Sequence, residues 1–201
     1  WMGAAWKESF DEGGLAWDDA SNNRAFLAGT ICSSLNGASI YIESSRKPEQ
    51  YKQADGKPLK DDILHAPLPG GPKGQFGFHT YTSHVVPSYS KNVSATKDLL
   101  RFIHKKENYD QWFSTGLGFY TPGTQGWEDH QLWKKDPVMA PFAVAGKLGL
   151  TPGYPGEPNA KAAEVLTKYL IGNMFAGHIR GQKAEEVVAA CEAQLKTIYG
   201  G

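Results

Sequence analysis

Two tracts in this chain forbid regular structure, and every other element has to fit around them. Pro69-Gly70-Gly71-Pro72 breaks any helix or strand that reaches it, because proline lacks an amide hydrogen and glycine loses the most backbone entropy on ordering. Residues 151–158 hold three prolines and two glycines and must be irregular for the same reason. The first tract reads as a crossing or hinge segment. Nowhere in the chain does an apolar run approach the roughly 20 residues that span a bilayer, so the elements are short and serve a core. With 201 residues and 40% hydrophobic content, that core is one of good size or two small ones.

Apolar spacing places the elements. Residues 2–11 read as a helix stopped at Gly13-Gly14, and residues 21–28 as a second, capped by Asp19 or Ser21 and ended by Gly29. Residues 30–35 are β-leaning, and residues 37–46 are a helix start or an irregular wall. A polar loop with an Asp55-Gly56 turn follows over residues 47–60. Residues 63–67 predict a short strand, and residues 76–86, rich in aromatic and β-branched side chains, a longer one. Ser94 is the expected N-cap of an amphipathic helix to about residue 106, and a second helix through Tyr109, Trp112 and Phe113 ends near Gly116. Residues 127–135 and 137–145 look helical, residues 160–180 predict one long helix, and residues 183–199 another. The pattern is α/β or α+β with helices in excess.

Charge and motifs remove several functions. Lys+Arg and Asp+Glu both number 21, and a balanced surface lacks the clustered basic footprint of a nucleic-acid binder. The chain carries no nucleophile-elbow, zinc-protease, phosphate-loop or dinucleotide motif, so no enzyme activity and no cofactor is expected. His79 and His84 lie five apart in a predicted strand, point to opposite faces and do not share a metal, and the other histidines are isolated. Cys32 and Cys191 show no zinc spacing; each lies in an apolar stretch and reads as an unpaired buried thiol, with a bridge between them left open. The 12% aromatic content is more informative. Tyr41, Tyr81, Tyr120 and Trp127 sit at loop-like places beside amide and hydroxyl residues, a mixture that suits a sugar, whose C–H face stacks on a ring while its hydroxyls seek partners.

The order of segments carries a family resemblance. Asn23-Arg24-Ala25-Phe26-Leu27-Ala28-Gly29-Thr30, then Leu35-Asn36-Gly37-Ala38-Ser39, resembles a stretch of the extracellular solute-binding proteins of the maltose- and glycerol-phosphate-binding group. Ala66-Pro67-Leu68-Pro69-Gly70-Gly71 is similar to the end of a strand leaving one lobe in that family. Val86-Pro87-Ser88-Tyr89-Ser90-Lys91-Asn92, the helix pair over residues 95–104 and 107–113, Phe119-Tyr120-Thr121-Pro122 and the helix over residues 181–199 resemble later family segments in the same order. Cys32-Ser33 replaces a pair that is often Ala-Met there, and Phe78-His79-Thr80-Tyr81 replaces a glycine pair.

The resemblance implies a periplasmic-binding-protein-like α/β fold of two lobes with ligand in the cleft between them. This chain is expected to be a fragment dominated by the carboxy-terminal lobe, an expectation also drawn from its start at Trp1 in mid-helix. Residues 1–70 and 122–201 are assigned by resemblance to the carboxy-terminal lobe, and residues 71–121 to the amino-terminal lobe. The implied function is capture of a small solute, a sugar first, in the periplasm or at the cell surface for an ABC transporter permease. A carbohydrate-active enzyme fragment and a ligand-free interaction or sensing module are the alternatives. Expected ligand-binding residues are Asn36, Ser39, Tyr41, His79, Tyr81, Tyr120 and Asn173. All are uncharged, and none of Arg24, Arg46 and Arg180 is obviously placed to hold an anion.

Overall fold

A computed structural model describes residues 1–80, 82–121, 123–124 and 126–200. Along the chain run α1 (Met2–Ser9), α2 (Ser21–Leu27), α3 (Ser39–Arg46), β1 (Gly77–Phe78), α4 (Val93–Ile103), α5 (Lys106–Thr115), α6 (Gln131–Lys135), α7 (Ala145–Leu148), β2 (Gly149–Leu150), α8 (Ala160–Thr167), α9 (Leu170–Ile179) and α10 (Ala184–Tyr199). Short 3-10 turns occupy Glu12–Ala16, Leu59–Asp62 and Ala140–Val144. β1 and β2 pair in parallel, Gly77 against Gly149 and Phe78 against Leu150, with α4 to α7 in the long crossover that a parallel pair requires. Among the described residues no helix is long and apolar enough to cross a membrane.

The chain forms two compact units, one of Trp1–Leu35 with Thr151–Gly201 and one of Asn36–Leu150. In the first, α10 packs along α9 and α8, and α1 lies against α9. Ala162, Leu170, Val187 and Cys191 are its buried apolar residues. Gly177 permits the close approach of α9 to α10, since a Cβ there would collide with the Gln182 side chain and stand 3.0 Å from Val187 Cγ1. In the second unit α3 buries Ile40, Tyr41, Ile42 and Ser44, a run wide enough to face the core on most sides. Ile63, Phe113, Trp133 and Met139 complete that core.

Several expectations are corrected. The β-leaning run over residues 30–35 and the strand over residues 63–67 are irregular, and among the described residues between 76 and 86 only Gly77–Phe78 are strand. Backbone pairing decides this: β2 offers a partner two residues long, and His79 adds one further bond, its N–H donating to Leu150 O at 3.0 Å. The long helix over residues 160–180 is two helices, split where Tyr169 takes a left-handed conformation with φ 52°. α4 begins after Asn92, two residues before the expected cap Ser94. At α2 neither Asp19 nor Ser21 caps the backbone; Asp18 Oδ1 accepts from Ala20 N–H at 3.0 Å and from Ser21 Oγ at 2.7 Å. Both thiols are free, but only Cys191 is buried; Cys32 is exposed in the irregular run after α2.

Candidate ligand site

The site begins with the way α5 ends. Leu117 and Gly118 both have positive φ, 53° and 76°, and turn the chain back along the helix it has just left. The Gly116 N–H donates to Trp112 O at 2.9 Å and the Gly118 N–H to Phe113 O at 3.0 Å, which satisfies carbonyls at the helix end. Glycine is required at 118 on a second count, because a Cβ would stand 3.1 Å from Leu132 and 3.2 Å from the Trp133 ring.

The reversal lays Tyr120 on Trp112 with ring centroids 5.5 Å apart and planes 7° from parallel. Phe119 meets Tyr120 edge-on at 4.7 Å. Trp112 and Tyr120 remain 48% and 50% exposed, so each keeps ring surface for another molecule. Arg46, in the last turn of α3, reaches the same place, its Nη2 donating to Thr115 O at 3.3 Å. A cation there also suits the negative end of the α5 dipole. Together Arg46, Trp112, Phe113, Gly116, Phe119 and Tyr120 line a cleft of about 220 Å³.

Beneath the cleft an aromatic knot fixes these walls. Phe113 is 1% exposed and meets His130, Trp133 and Trp127 at steep angles with centroids 5.1, 5.4 and 5.7 Å away. His130 is held at both nitrogens: Nδ1 accepts from Leu132 N–H at 3.1 Å at the start of α6, so the proton sits on Nε2 and is donated to Asp110 Oδ1 at 2.7 Å. Trp133 Nε1 donates to Trp127 O at 2.8 Å. Tyr109 packs against Trp112 and Trp127 on the same helix side, and burial raises its hydroxyl above the ordinary tyrosine value.

Of the expected ligand residues, Tyr81 lies outside the described residues. Of the six that are described, Tyr120 lines the cleft. Asn36 and Ser39 are tied together ahead of α3, Asn36 Nδ2 donating to Ser39 Oγ at 3.4 Å while Asn36 Oδ1 accepts from Gly37 N–H at 2.8 Å. Tyr41 is buried, its hydroxyl donating to Asp136 Oδ2 at 2.8 Å and its ring edge-on to His65 at 5.7 Å. Burial first, and then that bond to Asp136, raises the Tyr41 hydroxyl above its ordinary value. The His79 side chain covers Gly149, where a Cβ would collide with the imidazole. Asn173, in the other unit, donates to Lys168 O at 3.1 Å.

Arg46 and Trp112 were missed by sequence reasoning. The one usable signal was the Gly116-Leu117-Gly118 reversal, which brings residues eight apart into register across a helix end. Nothing local links Arg46 to them. Among the described residues no group of three or more histidine, cysteine or acidic side chains could hold a metal ion.

The model of the bacterial extracellular solute-binding protein family matches residues 2–141, most of the chain and all of the cleft. No curated protein and no solved structure gives a significant match.

Proposed function

The chain belongs to the bacterial extracellular solute-binding protein family, and from that premise we propose that it captures a sugar outside the cytoplasmic membrane and delivers it to the permease of an ABC importer. The observation that carries this reading is the parallel Trp112–Tyr120 pair on the wall of the cleft. A pyranose presents a C–H face that stacks on such rings, and a rim of hydroxyls that the Arg46 guanidinium and nearby backbone carbonyls can engage. A volume of about 220 Å³ is below the roughly 300–1,000 Å³ of sites for drug-sized ligands, and so favours a single sugar ring over a long oligosaccharide.

The protein works by binding without turnover. We assign residues 1–70 and 122–201 to the carboxy-terminal lobe of a maltose-binding-like fold and residues 71–121 to the amino-terminal lobe. The lining residues Arg46, Trp112, Phe113, Phe119 and Tyr120 all lie in the compact unit Asn36–Leu150 and form one preformed wall, against which the two lobes close. Ligand held between them stabilises the closed arrangement by the difference in its affinity for the two states, and the closed form is what a periplasmic or surface-bound carrier presents to its permease.

A panel of monosaccharides, sugar alcohols, amino acids and polyamines tested by thermal shift on the full-length protein examines this. A sugar present at a hundred times its Kd stabilises the bound form by about 2.7 kcal/mol. Replacing Tyr120→Ala is expected to weaken that sugar at least about tenfold, or ~1.4 kcal/mol. An unchanged Kd in the variant removes the cleft from consideration as the binding site.

A further inference from the structure

Arg46 adds chemistry that a neutral sugar does not need. Among the described residues it is the cationic member of a cleft whose other lining residues are four aromatics and a glycine. One of its five N–H donors goes to Thr115 O. Among the described residues no carboxylate lies within ion-pairing distance of it. Glu43, one turn back on α3, is taken up by Lys47 at 2.7 Å and by the Tyr51 hydroxyl at 3.5 Å. Arg24 differs: its guanidinium is held by Asp18 and Ser21, both at 2.8 Å.

Resting on the sugar-binding reading of this cleft, we propose that its ligand is an anionic monosaccharide, with a ring carboxylate, as in a hexuronate, paired to Arg46. Stacking on Trp112 or Tyr120 fixes the plane of the sugar ring. A carboxylate on the ring carbon next to the ring oxygen then projects from the edge of that plane, where a planar guanidinium forms two parallel N–H···O bonds with it. Such charge-assisted, two-point bonds are about twice as strong as neutral ones and are direction-specific. The aromatic lining strengthens the pair further by keeping water away from one side. A sugar phosphate shares the anionic group and also accepts two parallel bonds from a guanidinium, so the two sources of charge are separated by titration.

Isothermal titration of the full-length protein with D-galacturonate, D-glucuronate, D-galactose, D-glucose and D-glucose 6-phosphate tests this. The uronates are expected to bind at least tenfold more tightly than the corresponding neutral sugars. Arg46→Met should remove that preference by weakening the uronates at least about tenfold more than the neutral sugars, and Arg46→Lys should retain part of it. A preference for glucose 6-phosphate that is also lost in Arg46→Met upholds the anionic site and identifies phosphate as the source of charge. Equal affinity for neutral and acidic sugars, or a uronate preference that survives Arg46→Met, overturns the proposal and leaves the sugar site standing. Loss of every sugar in equal proportion, with a lowered melting temperature, makes Arg46 a helix-end support and overturns it too. Binding of no sugar of either kind, with a response to another solute class, instead defeats the underlying reading of the cleft.

Discussion

Phe113 and Cys191 are buried to nearly the same degree, at 1% and 5% exposure, but what encloses them is different in kind. Phe113 sits in a ring of aromatic edges contributed by Trp127, His130 and Trp133, and the ring itself is fastened by directional bonds from His130 to Asp110 and from Trp133 to Trp127. Cys191 shares its site with Ala162, Leu170 and Val187, small and aliphatic, and its one polar contact is a long thiol approach to Leu170 O at 3.9 Å. The helices around Cys191 keep Leu166, Ile171, Phe175 and Val188 more than a third exposed. One region is specified by geometry, the other by non-directional apolar contact over a modest area. The cleft is built on the specified region, where its walls can be held to the tolerances that recognition requires.

Truncation of the two central residues exposes this difference most sharply. Phe113→Ala removes a ring from a rigid cage that has little room to collapse, and is expected to cost about 3–5 kcal/mol. Cys191→Ala removes one atom from a softer environment and should cost roughly 0.5–1.5 kcal/mol, in the range of a single buried methyl. Urea unfolding followed by near-ultraviolet circular dichroism for the first and by far-ultraviolet signal for both measures the gap. Similar losses for the two variants would mean that the aromatic cage relaxes as freely as the helices do.

His130 gives the next largest effect and separates bonding from bulk. Its loss in His130→Ala uncaps α6, worth about 0.5–2 kcal/mol, and deprives Asp110 of its partner. The total should reach roughly 2–3 kcal/mol, because hydrogen bonds to a charged group contribute about 1.5–3 kcal/mol each and Asp110 keeps some access to water. Asparagine is among the best N-cap residues, so His130→Asn should recover about 1 kcal/mol through the cap alone. If alanine and asparagine behave identically in thermal unfolding, the imidazole acts by filling space and the directional account of the knot is wrong.

What was legible in the sequence follows the same division. α5 and α10 were readable to within two residues because apolar spacing and an end at Gly116 or after Tyr199 are local signals. The expected strand over residues 76–86 was not, because a strand is defined by its partner, and Gly149–Leu150 lies some seventy residues away and is two residues long. Cys32 was misread as buried because an apolar neighbourhood in sequence says nothing about whether a surface exists to cover it. The broad solute-binding family, though not the maltose-type group within it, was legible from the order of segments, which survives when each motif is weak. The place of Tyr120 beside a turn was legible, and the structure puts its ring on the cleft wall. The place of Arg46 in that cleft was not, because it depends on the ends of α3 and α5 meeting, a tertiary fact with no local trace.

The break between α8 and α9 offers the smallest effect and the finest test. Tyr169 stands 72% exposed with φ 52°, a conformation that costs an L residue about 1–2 kcal/mol because its Cβ crowds the backbone. Its neighbour Leu170 is 6% exposed, so the turn serves to bury the residue after it while the ring itself contributes little. Tyr169→Gly removes the crowding but gives the unfolded chain more freedom, and the two terms partly offset. The net expectation is a stabilisation of a few tenths to about 1 kcal/mol, with Tyr169→Asn intermediate because asparagine tolerates the left-handed region. Destabilisation by both variants in urea unfolding would show that the tyrosine ring is needed where it lies. The helical unit would then carry a specific contact of its own, and its contrast with the aromatic knot would narrow.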